Sequence, residues 1–302
     1  IACRIIKTAK KCRLRTIAVY TKVDQDLPHV KLADQSLLLG DGPISESYLS
    51  IPKIINAALA LNAEAIHPGY GFLSENADFA AACEKNGIIF IGPKPKSIKV
   101  MGNKAEAKKL VSDAGFRCIP GCELNEKIHN EISFFGKKVG YPLMIKASFG
   151  GGGKGMRLVN REEELHKQFK IAQVEALNSF GSNEIIFERA ITDARHVEIQ
   201  IFGDTLGNVI HLGERDCSVQ RRHQKIFEEA PCPKMNKKLR QAMGETAVKI
   251  ARKIDYISAG TIEFLLDNNN DFYFLEMNTR LQVEHPVTEL VTGLDLVYLQ
   301  FL

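Results

Sequence analysis

Four consecutive glycines, at positions 150 to 153, follow the residues KASF and precede a second short apolar run. Glycine has no side chain, so the backbone N–H groups of such a loop can approach phosphate oxygens closely. Lys146, on the strand predicted before the loop, can neutralise phosphate as a point charge. The alternative is a flexible hairpin turn, but the entropy lost on ordering four glycines favours phosphate contact. The segment matches neither the Walker pattern nor the dinucleotide-binding glycine pattern.

Two acidic residues, Glu263 and Glu276, lie on apolar segments that flank the turn-like sequence DNNND. The segments predict an antiparallel hairpin with Glu263 roughly opposite Glu276, and with Asn278 on the face of Glu276. Facing carboxylates repel each other unless a cation lies between them, and two Glu with one Asn suit Mg²⁺. The alternative is a solvated sheet face. We expect Leu265 and Phe274 on the face of the acids, which disfavours solvation there.

Arg280, Gln282 and Glu284 recur at every second residue just beyond the metal candidates. A cation, an amide and a carboxylate on a common face suit a small oxyanion, and Glu284 could take a proton from bicarbonate. A surface salt-bridge cluster is an equally good interpretation.

A second charged segment covers residues 214–231, and its composition alone favours a solvated loop. His196, at a predicted strand start, by itself suits a structural role.

The bulk composition excludes several classes of protein. The chain has 302 residues, is 45% hydrophobic and carries a net charge of +4. It is long enough for about two or three structural units and too mildly basic for a nucleic-acid binder. No apolar run reaches the roughly 18 residues of a membrane span, and no targeting segment is visible. The seven cysteines show no zinc-type pairing, so we expect reduced thiols.

Strands and helices alternate in the first part of the chain, which predicts a parallel sheet with helices on both faces. Such sheets bind ligands at the carboxyl ends of their strands, where HPGYGF (67–72) lies. From about residue 184 the strands lengthen and are expected to be antiparallel. The predicted strands of the first part are 15–20, 36–40, 63–69 and 87–92. The predicted helices are 1–11, 51–61, 76–86, 104–114 and 236–253.

Together these segments resemble the biotin carboxylase family, in order and over nearly the whole chain. The motifs are HPGYGFLSEN (67–76), FIGP (90–93), MGNK (101–104), KASFGGGGKGM (146–156), RHVEIQ (195–200), ERDCSVQRRHQK (214–225), EEAP (228–231) and EMNTRLQVEHPVTE (276–289). Within the family they are most similar to the biotin-dependent subunit of methylcrotonoyl-CoA carboxylase, with the propionyl- and acetyl-CoA carboxylase relatives close behind. The resemblance implies an α/β N-terminal parallel-sheet domain at 1–103 and an α+β ATP-grasp domain at 104–302. The lid lobe would cover about 117–190.

The resemblance implies an ATP-dependent ligase that carboxylates biotin through carboxyphosphate, the first half-reaction of an acyl-CoA carboxylase. The cofactors implied are ATP, Mg²⁺ or Mn²⁺, and biotin carried on another domain or subunit. The partners implied are bicarbonate, a biotin carrier domain and a carboxyltransferase subunit, with a homodimer of the full-length protein but neither nucleic acid nor membrane. The expected compartment is a bacterial cytoplasm or a mitochondrial matrix. The family's opening strand and C-terminal subdomain are expected outside residues 1–302.

The resemblance also implies roles for individual residues. The implied ATP-binding residues are Lys104, Lys146, Gly152, Gly153, Glu188, Ile191, His196, Gln220, His223, Glu263, Leu265 and Glu276. The implied metal ligands are Glu263, Glu276 and Asn278. The implied bicarbonate site contains Lys225, Arg280, Gln282, Val283 and Glu284. Among these, Lys225, Arg280 and Glu284 would be catalytic, with Glu284 as general base and Arg280 stabilising the enolate form of biotin.

Two alternative functions stay open at this point. One is another ATP-grasp ligase, such as a carbamoyl phosphate synthetase lobe, against which the segments QVEHPVTE and QRRHQK argue. The other is a non-catalytic chain that binds nucleotide without turnover. A bicarbonate-dependent ATPase assay with and without biotin separates these alternatives.

Overall fold

The computed structural model describes residues 1–124, 131–148, 155–221 and 224–302. Three predicted nucleotide contacts, Gly152, Gly153 and His223, lie outside the described residues. None of the helices in these ranges combines the length and the apolar character needed to cross a membrane. All seven cysteines are reduced, as predicted.

The N-terminal part of the chain contains two separate pairs of parallel strands. The strands are β1 (Ile17–Thr21), β2 (Gln35–Gly40), β3 (Ala65–Ile66) and β4 (Ile89–Phe90). The helices are α1 (Ala2–Lys11), α2 (Pro28–Leu32), α3 (Ile51–Ala60), α4 (Ala77–Lys85) and α5 (Pro95–Gly102). The parallel pairing of β1 with β2 and of β3 with β4 confirms the prediction, but the single sheet expected divides into two pieces. Pro68 and Pro93 follow β3 and β4 closely, and proline has no N–H to extend a ladder.

The end of β3 leads into helix α4 through the HPGYGFLSEN segment. Asn76 caps α4, because its Oδ1 accepts the Phe79 N–H at 2.8 Å. Phe79 and Cys83, one turn apart on α4, are buried against Ile55 of α3. This packing fixes the chain immediately before the cap, where Glu75 lies.

A four-stranded antiparallel sheet forms the next unit, in the order β5-β8-β6-β7. Its strands are β5 (Gly121–Leu124), β6 (Leu143–Ala147), β7 (Arg157–Val159) and β8 (Ile185–Arg189). The associated helices are α6 (Lys104–Asp113), which precedes the sheet, α7 (Ile132–Val139) and α8 (Glu162–Phe180). Leu165 and Phe169 of α8 pack on Ile145 and Phe187 of the sheet. The other face of β6 and β8 is therefore free to present Lys146 and Glu188.

A five-stranded antiparallel sheet forms the C-terminal part, in the order β11-β10-β9-β12-β13. Its strands are β9 (Arg195–Gly203), β10 (Val209–Arg221), β11 (Gln224–Glu229), β12 (Ser258–Leu266) and β13 (Phe272–Asn278). The helices are α9 (Lys237–Lys253), α10 (His285–Thr292) and α11 (Leu296–Phe301). The antiparallel pairing and the helix expected at 236–253 are both confirmed.

The two faces of this sheet have opposite chemistry. Ile199 and Ile262 pack with Met243 and Ile250 of α9 in the largest apolar cluster. Because side chains alternate along a strand, the neighbouring residues of β9 and β12 face the other way. That second face is polar, yet its side chains are buried: Glu198, Gln200, Arg215, Thr261 and Glu263.

The β12–β13 hairpin contains a β-bulge. Glu263 pairs with Glu276, whereas Phe264 pairs with Phe274, so Leu275 is an extra residue on β13. The bulge turns Phe274 to the apolar face, where it packs with Phe264. The prediction that Phe274 shares the face of the two acids is therefore wrong, because the extra residue reverses the alternation.

Candidate active site

The predicted carboxylate pair is formed across the β12–β13 hairpin, with Glu263 directly opposite Glu276. The Glu263 side chain is almost fully buried. Its Oε1 lies 2.9 Å from Lys225 Nζ and accepts a 2.7 Å hydrogen bond from Asn278 Nδ2. Its Oε2 lies 2.5 Å from His196 Nε2. Burial raises the pKa of Glu263, but His196 and Lys225 outweigh burial and hold this pKa well below its ordinary value.

Glu276 and Asn278 complete the predicted metal-binding set. Glu276 Oε2 lies 3.0 Å from Lys104 Nζ, at the start of α6. Within the described residues, no group of three or more His, Cys, Asp and Glu side chains is arranged to hold a metal ion. Mg²⁺ needs no such group, since it binds one or two carboxylates and completes its shell with phosphates and water. Two facing carboxylates, an amide and a neighbouring lysine therefore fit a magnesium–nucleotide site.

Lys225 lies at the centre of the site, on β11. Its ammonium contacts Glu198 of β9, Glu263 of β12 at 2.9 Å, and Glu284 before α10 at 3.1 Å. Burial lowers the pKa of Lys225, but the surrounding carboxylates raise it more, well above the ordinary value. Lys225 therefore carries a fixed positive charge, shared by three carboxylates from different elements.

His196 and Gln220 extend this cluster along β9 and β10. Gln220 Nε2 lies 2.7 Å from His196 Nδ1, while the other ring nitrogen faces Glu263. Burial lowers the pKa of His196, but the Glu263 carboxylate raises it more, so the pKa lies above its ordinary value. Leu265 is on the same face of β12 as Glu263, two residues further along.

Arg280 is held by residues from the N-terminal part of the chain. Its Nε donates to Glu75 Oε2 at 2.8 Å, and its guanidinium lies 4.5 Å from the centre of the Tyr70 ring. Glu75 Oε1 accepts the backbone N–H of Thr279 at 2.9 Å. Arg280 Nη2 donates to Asn278 Oδ1 at 3.0 Å. Neither Glu75 nor Tyr70 was among the predicted site residues, although both lie in HPGYGFLSEN, beyond the carboxyl end of β3.

The segment after β13 does not form the predicted common face of Arg280, Gln282 and Glu284. β13 ends at Asn278, so the two-residue period of a strand no longer applies beyond it. Gln282 is buried and its Oε1 accepts from Arg215 Nη2 at 2.6 Å, whereas Glu284 contacts Lys225. The Val283 side chain is exposed. Gln282 and Glu284 thus reach the Lys225 cluster, and Arg280 lies on the other side of Asn278.

A second carboxylate lies among the lysines of the four-stranded sheet. Glu188 Oε2 lies 2.5 Å from Lys146 Nζ, and Glu188 Oε1 contacts Lys108. Burial raises the pKa of Glu188, but Lys146 and Lys108 outweigh it, and the pKa falls to about 2. Glu188 is among the implied ATP-binding residues, and its carboxylate contacts these two lysines; Ile191, also in that set, is half-buried just beyond β8. Lys108 was not predicted, although it follows Lys104 by four residues, one turn of α6.

The charged segment at 214–231 is not the solvated loop that its composition favours. It forms most of the β10–β11 hairpin, and Arg215 is fully buried. Glu214 pairs with Arg240 of α9 at 2.7 Å, and Asp216 pairs with Arg195 of β9. Each buried charge has a partner on another element, which composition does not reveal.

Comparison with known proteins gives the family. A family model described as the biotin carboxylase N-terminal domain matches residues 1–98. A second, described as the ATP-binding domain of the carbamoyl-phosphate synthase L chain, matches residues 103–302. The chain belongs to the biotin carboxylase family. It therefore combines the N-terminal domain of biotin carboxylases with an ATP-grasp domain, as predicted, within a family of ATP-dependent ligases.

Two curated members of the biotin carboxylase family show how much of their length this chain matches. A biotin carboxylase of Nostoc sp. is 53% identical over 98% of the chain. A mitochondrial methylcrotonoyl-CoA carboxylase subunit alpha of Dictyostelium discoideum is 52% identical over 98% of the chain. The chain spans 66% of the first relative and 42% of the second.

Solved biotin carboxylase structures superpose closely on the chain. The Campylobacter jejuni biotin carboxylase–beta-gamma-ATP complex has a TM-score of 0.95 and 47% identity, and the match covers 99% of this chain and 67% of that one. The biotin carboxylase domain dimer of Hydrogenobacter thermophilus 2-oxoglutarate carboxylase has a TM-score of 0.96 and 46% identity, over 99% and 66% of the two chains. The second contains magnesium ADP, ADP and bicarbonate.

Proposed function

We propose that this chain contains the site at which ATP and bicarbonate carboxylate biotin on a carrier domain. The observation that supports this function most is the position of the Lys225 ammonium. It contacts Glu263, a proposed metal ligand, and Glu284, the proposed general base. One cation thus joins the nucleotide side of the site to the bicarbonate side, as a reaction between ATP and bicarbonate requires.

On the nucleotide side, Lys104 and Lys146 would neutralise phosphate oxygens. Glu263, Glu276 and Asn278 would hold Mg²⁺, which when bound supplies positive charge to the transferring phosphoryl group. The superposed Campylobacter and Hydrogenobacter structures, which contain ATP-type ligands, support this assignment. The remaining proposed ATP contacts are Gly152, Gly153, Glu188, Ile191, His196, Gln220, His223 and Leu265.

On the bicarbonate side, Glu284 would remove the proton of bicarbonate, whose oxygen then attacks the γ-phosphorus of ATP. This step forms carboxyphosphate and ADP. Lys225, Gln282 and the segment through Val283 would orient the anion. Carboxyphosphate then gives CO2 and phosphate, the phosphate takes the N1 proton of biotin, and CO2 adds to that nitrogen. Arg280 would stabilise the negative charge that develops on biotin.

The proposal extends to the protein that contains this chain. We infer an N-terminal domain at 1–103 and an ATP-grasp domain at 104–302 with its lid at about 117–190. The first half-reaction of an acyl-CoA carboxylase is supported by the methylcrotonoyl-CoA and propionyl-CoA carboxylases among the relatives. A carboxyltransferase subunit is part of the same inference. A homodimer is supported by the dimer named for the Hydrogenobacter domain, and a mitochondrial or bacterial location by the relatives' sources.

The test is ATP hydrolysis by the protein that contains this chain, with MgATP, with and without bicarbonate and free biotin. We expect hydrolysis that requires bicarbonate and that increases with biotin. Bicarbonate dependence without a biotin response would favour the carbamoyl phosphate type of ligase instead. Binding of MgATP without turnover would favour the non-catalytic alternative. Arg280→Ala should keep nucleotide affinity and lose carboxybiotin formation; a loss of ATP affinity would contradict the role given to Arg280.

A further inference from the structure

Arg215 is a fully buried arginine on β10, outside every predicted set of site residues. Its Nε donates to Glu198 at 2.5 Å. Nη1 donates to Gln200 at 2.8 Å and to Thr288 at 2.7 Å. Nη2 donates to Gln282 at 2.6 Å and to Thr261 at 3.3 Å. All five N–H donors of the guanidinium are thus used by partners within the protein, and none is left for a ligand.

Two of these bonds lead directly into the proposed bicarbonate site. The bond to Gln282 Oε1 orients the Gln282 amide, so that its Nε2 points toward Glu198 and Glu263, at 3.4 Å from each. The bond to Glu198 Oε1 leaves Glu198 Oε2 to contact Lys225. Arg215 therefore contacts Gln282 directly and is linked to Lys225 through Glu198.

The other three bonds fix Arg215 itself. Gln200 lies on β9, which pairs with β10, and Thr261 lies on β12, the next strand beyond β9. Thr288 lies on α10, which follows Glu284 directly. Because its acceptors lie on three elements, the planar guanidinium of Arg215 is fixed in one orientation. The ammonium of a lysine at this position is more flexible and would not be fixed in the same way. The burial of this charge is costly unless all its partners are in place, so the cluster specifies a single arrangement of Gln282 and Glu198.

We infer that Arg215 is a positioning residue, which sets Gln282 and the Glu198–Lys225 pair in the geometry that binds bicarbonate. This inference rests on the proposed function, because it concerns the affinity of that same site for its anion. Arg215 acts only through its neighbours. Its loss should therefore weaken bicarbonate binding far more than nucleotide binding, because Lys104, Lys146 and Glu276 are not among the five acceptors of Arg215.

The experiment compares KM for bicarbonate with KM for MgATP in the protein that contains this chain. Arg215→Lys keeps the charge but loses the planar fork, and we expect KM for bicarbonate to rise about tenfold or more. KM for MgATP should change by less than about twofold. The control is Arg240→Met, which breaks the ion pair with Glu214, the residue next to Arg215 on β10. That control should lose stability but leave both KM values unchanged.

Thr288→Val provides a second, milder variant if Arg215→Lys does not fold. It removes one acceptor of Arg215 and keeps both the charge and the side-chain shape. We expect a smaller rise, about threefold, in KM for bicarbonate alone. If wild-type hydrolysis depends on bicarbonate but no folded variant changes that KM, or if both KM values rise together, the role of Arg215 is overturned. If wild-type hydrolysis ignores bicarbonate, the proposed function itself fails.

Discussion

Glu75 Oε2 accepts a hydrogen bond from Arg280 Nε at 2.8 Å, although 205 positions separate the two residues. The same carboxylate accepts the Thr279 backbone N–H, so Glu75 fixes both the Arg280 side chain and the backbone of the preceding residue. The N-terminal domain thereby determines the position of an arginine that belongs to the ATP-grasp domain. Weakening the contacts of Glu75 with Thr279 and Arg280 should therefore affect carboxybiotin formation, the step proposed for Arg280, before it affects nucleotide binding.

Glu75→Gln should reduce carboxybiotin formation about tenfold, since a hydrogen bond between two charged groups is replaced by a weaker one. The affinity for MgATP should not change, because Glu75 contacts none of the proposed nucleotide residues. The two measurements are carboxylation of free biotin and equilibrium binding of MgATP. Glu84→Gln, an exposed change on α4, is the matched control. Equal carboxylation by the two variants would rule out this role for Glu75.

Glu276→Gln should lower magnesium-dependent ATP hydrolysis by about two orders of magnitude or more, because it removes one of two charged ligands of the proposed metal. The 3.0 Å ion pair between Lys104 and Glu276 would also be lost. Initial rates over a range of Mg²⁺ concentrations provide the measurement. Asp271→Asn, in the turn of the same hairpin, is the control and should retain the wild-type rate. A Glu276→Gln variant that hydrolyses ATP normally would remove Glu276 from the metal site.

Glu188→Gln should destabilise the four-stranded sheet by about 3 kcal/mol, since it leaves the buried charges of Lys146 and Lys108 without their carboxylate. The free energy of unfolding in urea is the measurement. Glu184→Gln, an exposed change just before β8, should alter this free energy by less than about 0.5 kcal/mol. Similar stabilities for both variants would mean that the buried lysines do not need Glu188. Lys108→Met combined with Glu188→Gln should recover part of the loss.

As the pH falls, proton uptake linked to His67 should destabilise the folded chain at a higher pH than protonation of the chain's carboxylates does. Burial lowers the pKa of His67 to about 4, below its ordinary value of 6.5. The unfolded state then binds the proton more readily, so the contribution of neutral His67 is complete above pH 6.5 and is lost as the pH falls toward 4. Protonation also places a hydrogen on Nδ1, which accepts the Gly69 N–H at 3.0 Å.

Urea unfolding between pH 7 and pH 4 tests this expectation, with a loss of about 3 kcal/mol from His67 in wild type. His67→Gln should show a shallower pH dependence over that range. His166→Gln, a change at an exposed position on α8, should follow the wild-type curve. Identical slopes for all three proteins would show that His67 takes up no proton on unfolding.

The register of the β12–β13 hairpin could be predicted from sequence, but its bulge could not. Apolar residues on both sides of a polar turn define two strands, and counting from the turn places Glu263 opposite Glu276. Leu275 is as apolar as its neighbours, so no change of residue type marks it as the extra residue. The face of Phe274 depends on that one residue, and was therefore predicted wrongly.

Contacts between distant segments were the main part of the site that the sequence did not predict. Lys225, Glu263 and Glu284 were each identified from their motifs, yet their common contact depends on three elements that meet only after folding. Arg215 lies in a run of charges typical of exposed loops, and its burial requires acceptors up to 73 positions away. Glu75 was part of a noted motif, but no local pattern indicates Arg280 as its partner.

The extra residue at Leu275 determines where the β12–β13 hairpin can change in length. Deleting Leu275 would restore a regular ladder with Glu263 opposite Glu276 and Phe264 opposite Phe274, so Phe274 and Glu276 would keep their opposite faces. Residues added to the connection at 267–271 would lengthen only an external loop. Homologous hairpins should therefore differ in length at that connection or lack the residue at position 275, while the pairing of Glu263 with Glu276 is preserved.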